Sequence, residues 1–409
     1  MKRRSFIETA GGTALMALLY NRCAAPGKLP NSTALVDTPE KRAAYLDNML
    51  NELCADIGTK PAGSPNYQKA ALIVKREMEK AFPIVELDTF TLERWVLKGE
   101  PEFRIGGIPV ETYPAHGSLG TPPEGITGML RAIEDDGGVP YGLFDDSDTL
   151  RAYITVYENL AVPLPYYFYK KSFKCLPTFN IGSKDEHIIR DAVEQKTPVT
   201  VRAEVEFIPD TRTCNVVGTL PGETTEEAIF IAHLDTVYNT VGANDNTASL
   251  IMMLILAHAV SGIVPKKTLT FLATEGEEYN KLGAINYAER RKGEGTFDAI
   301  KWLFNFDSIT WGPNIKIYSQ DEELRTIFTT IDEELNIPGT PELIEGDGFM
   351  LDGQPFRETG ARAIYFNSTG SDHVSVWHRP SDTPETVPPE AAEICFLLCR
   401  EFIRRFMDM

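Results

Sequence analysis

Five residues far apart in the sequence carry side chains that bind divalent metal ions, and each stands at a predicted strand end or in a loop. They are His233, Asp245, Glu278, Asp307 and His378. Two imidazoles and three carboxylates, without a cysteine, suit Zn²⁺ or a related cation. A single catalytic zinc needs three protein ligands, whereas five ligands suit two metals that share one carboxylate. The pattern therefore indicates a two-metal hydrolytic centre.

Two further acids accompany these candidate ligands. Asp235 stands two residues after His233, at the end of the apolar run AIFIA, and this spacing predicts that both side chains lie on one side of a strand. A carboxylate there would steady the imidazole ring, as metal-binding histidines usually require. Glu277 and Glu278 are adjacent and point in different directions, so one can bind metal while the other acts as a general base.

The elements that must position these residues alternate between strand and helix. Apolar strands end at His233, just before Glu275 and at Asp307, and each is followed by a helical segment. This alternation predicts an α/β fold with a largely parallel sheet covered by helices. Ligands bind at the carboxyl ends of the strands in such sheets.

Residues 108–210 differ from the rest of the chain in composition and predicted secondary structure. Turns rich in Gly, Pro and acidic residues separate short predicted strands there. We interpret this segment as an inserted β-rich domain. The predicted α/β domain then comprises residues 31–107 and 211–409, and residues 1–30 precede it.

Composition excludes some classes of partner. The 409 residues carry a formal net charge of −19, which argues against nucleic acid or an anionic membrane as a partner. No stretch approaches the ~20 apolar residues of a membrane span. Oligomeric state is not indicated by the sequence.

The N-terminus resembles an export signal of twin-arginine type. Arg3 and Arg4 precede Ser5-Phe6-Ile7, and a short run of small and apolar residues follows. We therefore expect a periplasmic or extracellular protein. The sequence is compatible with two kinds of processing. Cys23 would be lipidated, which would anchor the protein to a membrane, or the chain would be cleaved near Ala25.

Several segments occur in the order found in one enzyme family: AHLDT, GANDNTAS, EGEEYNKLGA, NFDS and WHRPSDTPETV. Over roughly residues 40–105 and 213–405, the chain resembles the co-catalytic zinc aminopeptidases of peptidase clan MH. That family also includes glutamate carboxypeptidases and glutaminyl cyclases. The resemblance implies a three-layer α/β/α fold with a mixed, largely parallel sheet, and the segment 108–210 is similar in part to a protease-associated domain.

The resemblance also implies a role for each candidate ligand. His233 and Asp307 would hold one zinc ion. Glu278 and His378 would hold a second, and Asp245 would bridge the two. The implied cofactor is therefore two Zn²⁺ per chain, and the implied substrates are peptides.

The remaining two acids receive roles in the same way. Asp235 would orient His233, and Glu277 would be the general base that takes a proton from a water held between the metals. One position departs from the family, because Gly353 replaces a histidine near the substrate pocket. His373 either supplies a substitute imidazole or is a loop residue without a role.

Three functions fit this resemblance. The first is an exported two-zinc exopeptidase of the aminopeptidase type. The alternative is a glutaminyl cyclase with one zinc, which Trp377 before His378 favours and the long insert opposes. The third, a non-catalytic relative, is disfavoured because the ligands and the base are all retained.

Overall fold

The computed structural model describes residues 29–133, 140–157, 162–165, 176–310, 315–337, 341–346, 351–368 and 376–406. The predicted export signal with Cys23, and also His373, lie outside the described residues.

Strands and helices alternate in the second half of the chain, whereas seven strands of the described chain follow one another between Ile84 and Gly182. The strands are β1 (Ile84–Ile105), β2 (Ile108–Pro109), β3 (Tyr113–Pro114), β4 (Ile126–Ala132), β5 (Tyr141–Phe144), β6 (Leu150–Tyr157), β7 (Thr178–Gly182), β8 (Val199–Leu220), β9 (Thr224–His233), β10 (Lys267–Thr274), β11 (Ile300–Phe306), β12 (Ile315–Ser319), β13 (Glu342–Glu345) and β14 (Arg362–Ser368). The helices are α1 (Pro39–Leu50), α2 (Pro65–Ala81), α3 (Glu186–Gln195), α4 (Ala248–Ala259), α5 (Leu282–Gly293), α6 (Glu322–Leu335) and α7 (Pro389–Phe406).

The central sheet is mixed and largely parallel, as expected. Its strand order is β13-β12-β14-β11-β9-β10-β8. Strand β9 pairs in parallel with β10 on one side and with β11 on the other, whereas β8 pairs antiparallel with β10. In the β9–β10 register His233 lies opposite Thr274. The carboxyl ends of β9, β10 and β11 therefore meet at one edge, where the candidate ligands lie.

Helices cover both faces of this sheet. Along β9, Ala228, Phe230 and Ala232 pack into the core beneath α4, whereas Ile229 and Ile231 pack toward α5 on the opposite face. A strand that is buried on both faces is continuously apolar, which explains the run AIFIA. Helix α4 is buried from Ala248 to His258, since α1, α2 and α7 pack around it. The three-layer α/β/α architecture is confirmed.

A second core lies within the predicted insert. It includes side chains from β4 to β7 and from α3, together with Phe103 and Ile105 at the end of β1 and Val199 and Val201 at the start of β8. Strands β1 and β8 pair antiparallel over most of their length and pass through both cores. This long antiparallel strand pair links the second core to the central sheet.

No helix among the described residues is both long and apolar enough to cross a membrane. Four cysteines of the described chain are buried free thiols: Cys54, Cys214, Cys395 and Cys399.

Candidate metal centre

Three buried side chains from two strands and a loop form the first group of metal-binding atoms. His233 is the last residue of β9, and Asp307 follows the last residue of the neighbouring strand β11. The Nε2 atom of His233 lies 3.3 Å from Oδ1 of Asp245 and 3.9 Å from Oδ2 of Asp307. One nitrogen and two carboxylate oxygens thus face each other within 4.8 Å.

A second group contains the same aspartate. The Nε2 atom of His378 lies 3.3 Å from Oδ2 of Asp245 and 3.0 Å from Oε1 of Glu278. Asp245 therefore directs one oxygen to each group. The structure brings together all five candidate ligands that the sequence indicates.

The loop that carries Asp245 is held by a residue that sequence reasoning did not single out. Oδ1 of the buried Asp382 accepts hydrogen bonds from the backbone N–H and the side-chain amide of Asn244, both at 2.9 Å. Its Oδ2 accepts a bond from the backbone N–H of Asp245 at 3.1 Å. The only sequence signal was its place in WHRPSDTPETV.

Two further features shape this loop. Gly242 has a φ of 60°, and a Cβ there would lie 2.3 Å from the backbone oxygen of Asp245, so only glycine fits. Asn246 donates to the backbone oxygen of Phe306 at 2.9 Å and accepts from the N–H of Ser308 at 3.1 Å. The amide of Asn246 therefore ties the loop to the end of β11, next to Asp307.

Asp235 lies just beyond the end of β9 and contacts His233 through both its backbone and its carboxylate. The Nδ1 atom of His233 bonds to the backbone oxygen of Asp235 at 3.0 Å, while the nearer carboxylate oxygen is 3.5 Å away. The carboxylate accepts hydrogen bonds from the backbone N–H groups of Glu277 at 3.1 Å and Glu278 at 3.2 Å. Asp235 thus contacts His233 mainly through its backbone and positions the glutamate pair through its side chain.

Glu277 is the half-buried member of the glutamate pair. Burial raises its pKa well above the usual range, and the charges of Asp352 and Asp307 raise the pKa further. A carboxylate with a raised pKa is a stronger base than an exposed one, which suits proton transfer.

The donor set fits divalent cations. The pKa of Asp307 is raised to about 7 by burial and by repulsion from the neighbouring carboxylate of Asp245. Within the described chain, no lysine or arginine forms an ion pair with any of the five candidate ligands. Bound cations would relieve this repulsion, and neutral imidazole and carboxylate are ligands of zinc.

The space beside Gly353, where the resemblance implies a histidine, is filled by the side chains of Tyr365 and Leu303. A Cβ on Gly353 would lie 2.7 Å from a ring carbon of Tyr365 and 2.9 Å from a methyl group of Leu303. Histidine therefore cannot occupy this position without moving Tyr365. The preceding residue, Asp352, is buried against the hydroxyl of Thr274, and burial raises its pKa to about 6.

The segment after β3, within the predicted insert, also contributes a residue near the centre. The buried His116 stacks on Tyr279, with ring centroids 4.7 Å apart, and packs against Trp95. Burial lowers its pKa to about 4. The charge of Asp235 opposes this shift, and the charge of His378 adds to it. The sequence offered no motif for His116, because its neighbours in space come from distant segments.

A family model, a sequence relative and a solved structure that resemble this chain all belong to peptidases. Residues 215–403 match the model of Peptidase family M28. Aminopeptidase YwaD of Bacillus subtilis strain 168 is 23% identical over 417 residues, which cover 94% of this chain and 88% of that protein. The structure of a Peptidase M28 precursor from Shewanella amazonensis SB2B superimposes with a TM-score of 0.73 at 16% identity, covering 91% of this chain and 95% of that one.

A glutaminyl cyclase from an Acidobacteriales bacterium shares the fold as well. It superimposes with a TM-score of 0.52 at 12% identity, covering 95% of this chain and 99% of that one. At such identities a structural match shows the fold alone, and one fold can host several reactions. The chemistry must therefore be argued from the site.

Proposed function

We propose that this chain, a metallopeptidase with a family M28 domain over residues 215–403, is a zinc aminopeptidase that uses two metal ions to remove N-terminal residues from peptides. The observation that carries the proposal is the pair of donor groups that share Asp245. The similarity to an aminopeptidase over 94% of the chain supports the same activity.

Each donor group would hold one ion. His233 and Asp307 would hold the first, Glu278 and His378 the second, and Asp245 would contribute one oxygen to each. When bound, the two ions would supply Lewis acidity to polarise the scissile carbonyl and increase the acidity of water.

The protein's own groups would move the proton. Glu277 would accept a proton from the attacking water and deliver it to the leaving amine nitrogen. The bonds from the backbone N–H groups of Glu277 and Glu278 to Asp235 hold both carboxylates in place. With this arrangement Glu278 faces His378, and Glu277 is left for proton transfer.

The two-group arrangement favours a peptidase over the cyclase alternative. A cyclase of this family is expected to use one zinc, whereas two complete sets of three donors meet here. The cyclase-like fold does not decide between them, since the peptidases share it.

We also propose that the protein is exported, on the basis of the paired arginines and the short apolar run within residues 1–30. Residues 108–210 would form a protease-associated-like insert between the two parts of the peptidase domain.

The test combines metal analysis with a substrate screen. Purified protein should contain two zinc ions per chain and release free amino acids from amino-acid arylamides and dipeptides. One zinc per chain, with ammonia released from peptides that begin with Gln, would instead establish the cyclase.

A further inference from the structure

A cavity of about 590 Å³ lies next to the turn that carries His378, between residues 59–66 and 238–239 on one side and β1 on the other. Its lining includes Arg94 and Trp95 of β1, Tyr113 of the insert, and Tyr238, Asn239 and Pro380 of the peptidase domain. This volume falls in the range of about 300–1,000 Å³ that small-molecule sites occupy.

The cavity is connected to a candidate metal ligand. The side-chain amide of Asn239 donates a hydrogen bond to the backbone oxygen of His378 at 3.2 Å. Pro380 stands two residues after His378 in the same turn. A peptide whose N-terminal residue lies at the metal centre would pass the His378 turn to reach this cavity with its C-terminal part.

Arg94 is the unusual group in the cavity wall. Its guanidinium makes no hydrogen bond or ion pair within the described part of the chain, and its Nε atom is buried. The other arginine of the same strand, Arg104, pairs with Glu102 and donates to the backbone oxygen of Gly107 at 3.1 Å. A register shift in β1 between Leu92 and Arg94 marks a bulge, and bulges redirect side chains next to functional sites.

A second polar atom of the wall lacks a partner. The Oδ1 atom of Asn239 is buried and accepts no hydrogen bond within the described residues. The cavity therefore offers one acceptor close to the His378 turn, a cationic donor on Arg94 and the acidic side chain of Glu100. The rings of Trp95 and Tyr238, which also line the cavity, pack with their centroids 5.2 Å apart.

This combination matches a short peptide with a free C-terminus. A planar guanidinium binds a carboxylate through two parallel hydrogen bonds, and Asn239 Oδ1 can accept from a peptide N–H. The net charge of −19 gives carboxylates no general attraction to this protein, so a local cation must provide it.

We propose that Arg94 binds the C-terminal carboxylate of short peptide substrates in this cavity, and that di- to tetrapeptides with a free C-terminus are the favoured substrate class. This proposal rests on the proposed aminopeptidase function. Because each extended residue spans about 3.3–3.6 Å, the distance from the metal centre to Arg94 would select one peptide length.

The experiment compares free acids with C-terminal amides. The substrates are Leu-Ala, Leu-Ala-Ala and Leu-Ala-Ala-Ala, and kcat/KM is measured for both forms of each. At one length the wild type should prefer the acid by about tenfold or more, mainly through KM, because the carboxylate bond forms in the ground state. Equal kcat/KM for acid and amide at every length would overturn the proposal.

Three variants separate this role from a structural one. Arg94→Gln should reduce the preference for the acid to below about threefold, and Arg94→Lys should keep part of it. Arg104→Gln removes the same charge from the same strand outside the cavity, and should retain the full preference. A preference that survives Arg94→Gln would overturn the proposal.

A binding measurement makes the two proposals fail separately. Calorimetric titration with N-acetyl-Ala-Ala and its amide needs no turnover, and only the acid should bind, in a manner that Arg94→Gln abolishes. Binding of this kind without peptide cleavage would support the carboxylate site and refute the peptidase function. Peptide cleavage with equal binding of acid and amide would refute the carboxylate site alone.

Discussion

The carboxylate of Asp382 accepts a hydrogen bond from the backbone N–H of Asp245 at 3.1 Å, so a residue four positions after His378 holds the loop that carries the shared carboxylate. Two more bonds, from the backbone and side-chain amides of Asn244, use the other oxygen of Asp382. The turn that carries His378 and the loop that carries Asp245 are therefore positioned together.

Replacing Asp382 should weaken metal binding although it is not a proposed ligand. Asp382→Asn keeps one acceptor oxygen and loses the other, so Asp245 loses the bond that orients its backbone. Residues that support metal ligands typically contribute about 10–100-fold to metal affinity, and a loss of this size is expected in competition with a chelator. Glu385→Gln, an exposed change in the same segment, is the control and should leave the affinity unchanged.

Replacing the proposed base should separate turnover from metal content. Glu277→Gln retains the backbone bond to Asp235 and leaves the five candidate ligands unchanged, so zinc content should stay at the wild-type value. Loss of general-base catalysis should lower kcat by about 10²–10⁴-fold. A variant with near-normal kcat would remove Glu277 from the mechanism, and exposed Glu289→Gln serves as the control.

Metal content should depend on which ligand is removed. Asp245→Ala should lose both ions, because each oxygen of this carboxylate faces one donor group. Asp307→Ala and His233→Ala should lose the first ion together with activity, and the second group is left with its three donors. Atomic emission analysis gives the zinc count, and an Asp245→Ala protein that retains two ions would refute the shared role.

The free energy of unfolding should fall in mild acid because of a buried histidine. His258 bonds through Nδ1 to the hydroxyl of Ser32 at 2.7 Å and through Nε2 to that of Tyr45 at 3.0 Å, and burial lowers its pKa to about 4. The unfolded chain, with a pKa near 6.5, binds a proton that the folded chain does not bind until the pH approaches 4. Stability is therefore fully present above pH 6.5 and decreases as the pH falls toward 4.

This dependence can be measured by urea unfolding at pH 7 and pH 5. Between these values His258 should contribute a loss of about 2 kcal/mol, at 1.36 kcal/mol per pH unit below the unfolded pKa. His258→Gln can keep hydrogen bonds to its two partners but does not titrate, so its loss over this interval should be smaller by about that amount. Equal losses in both proteins would show that His258 is not responsible.

Much of the site could be predicted from the sequence because its residues stand at recognisable strand ends. Apolar runs before His233 and Asp307 mark strands that are buried on both faces, and parallel strands end at the same edge of a sheet. Local pattern was less informative for Asp235. The two-residue spacing predicted that both side chains lie on one side of a strand, but β9 ends at His233. The carboxylate of Asp235 does lie 3.5 Å from Nδ1 of His233, yet the backbone oxygen of Asp235 is closer, at 3.0 Å.

Other features could not be predicted, because their partners are distant in sequence. The contact between Asp382 and Asp245 spans 137 positions, and neither residue shows in its own neighbourhood that it needs the other. His116 follows β3 and stacks on Tyr279, which follows β10. The exclusion of a histidine at position 353 depends on Tyr365, which reaches that space from β14.

The sequence by itself determined the type of fold and the chemical character of the donor set, because the period of apolar residues specifies strands and helices and the side-chain types specify which cations they suit. Only the tertiary structure decided which oxygen faces which imidazole, what holds the shared carboxylate, and that Arg94 has no partner among the described residues in the wall of a cavity next to the His378 turn. Those properties depend on distances between segments that meet only when the chain packs, and no local pattern records them.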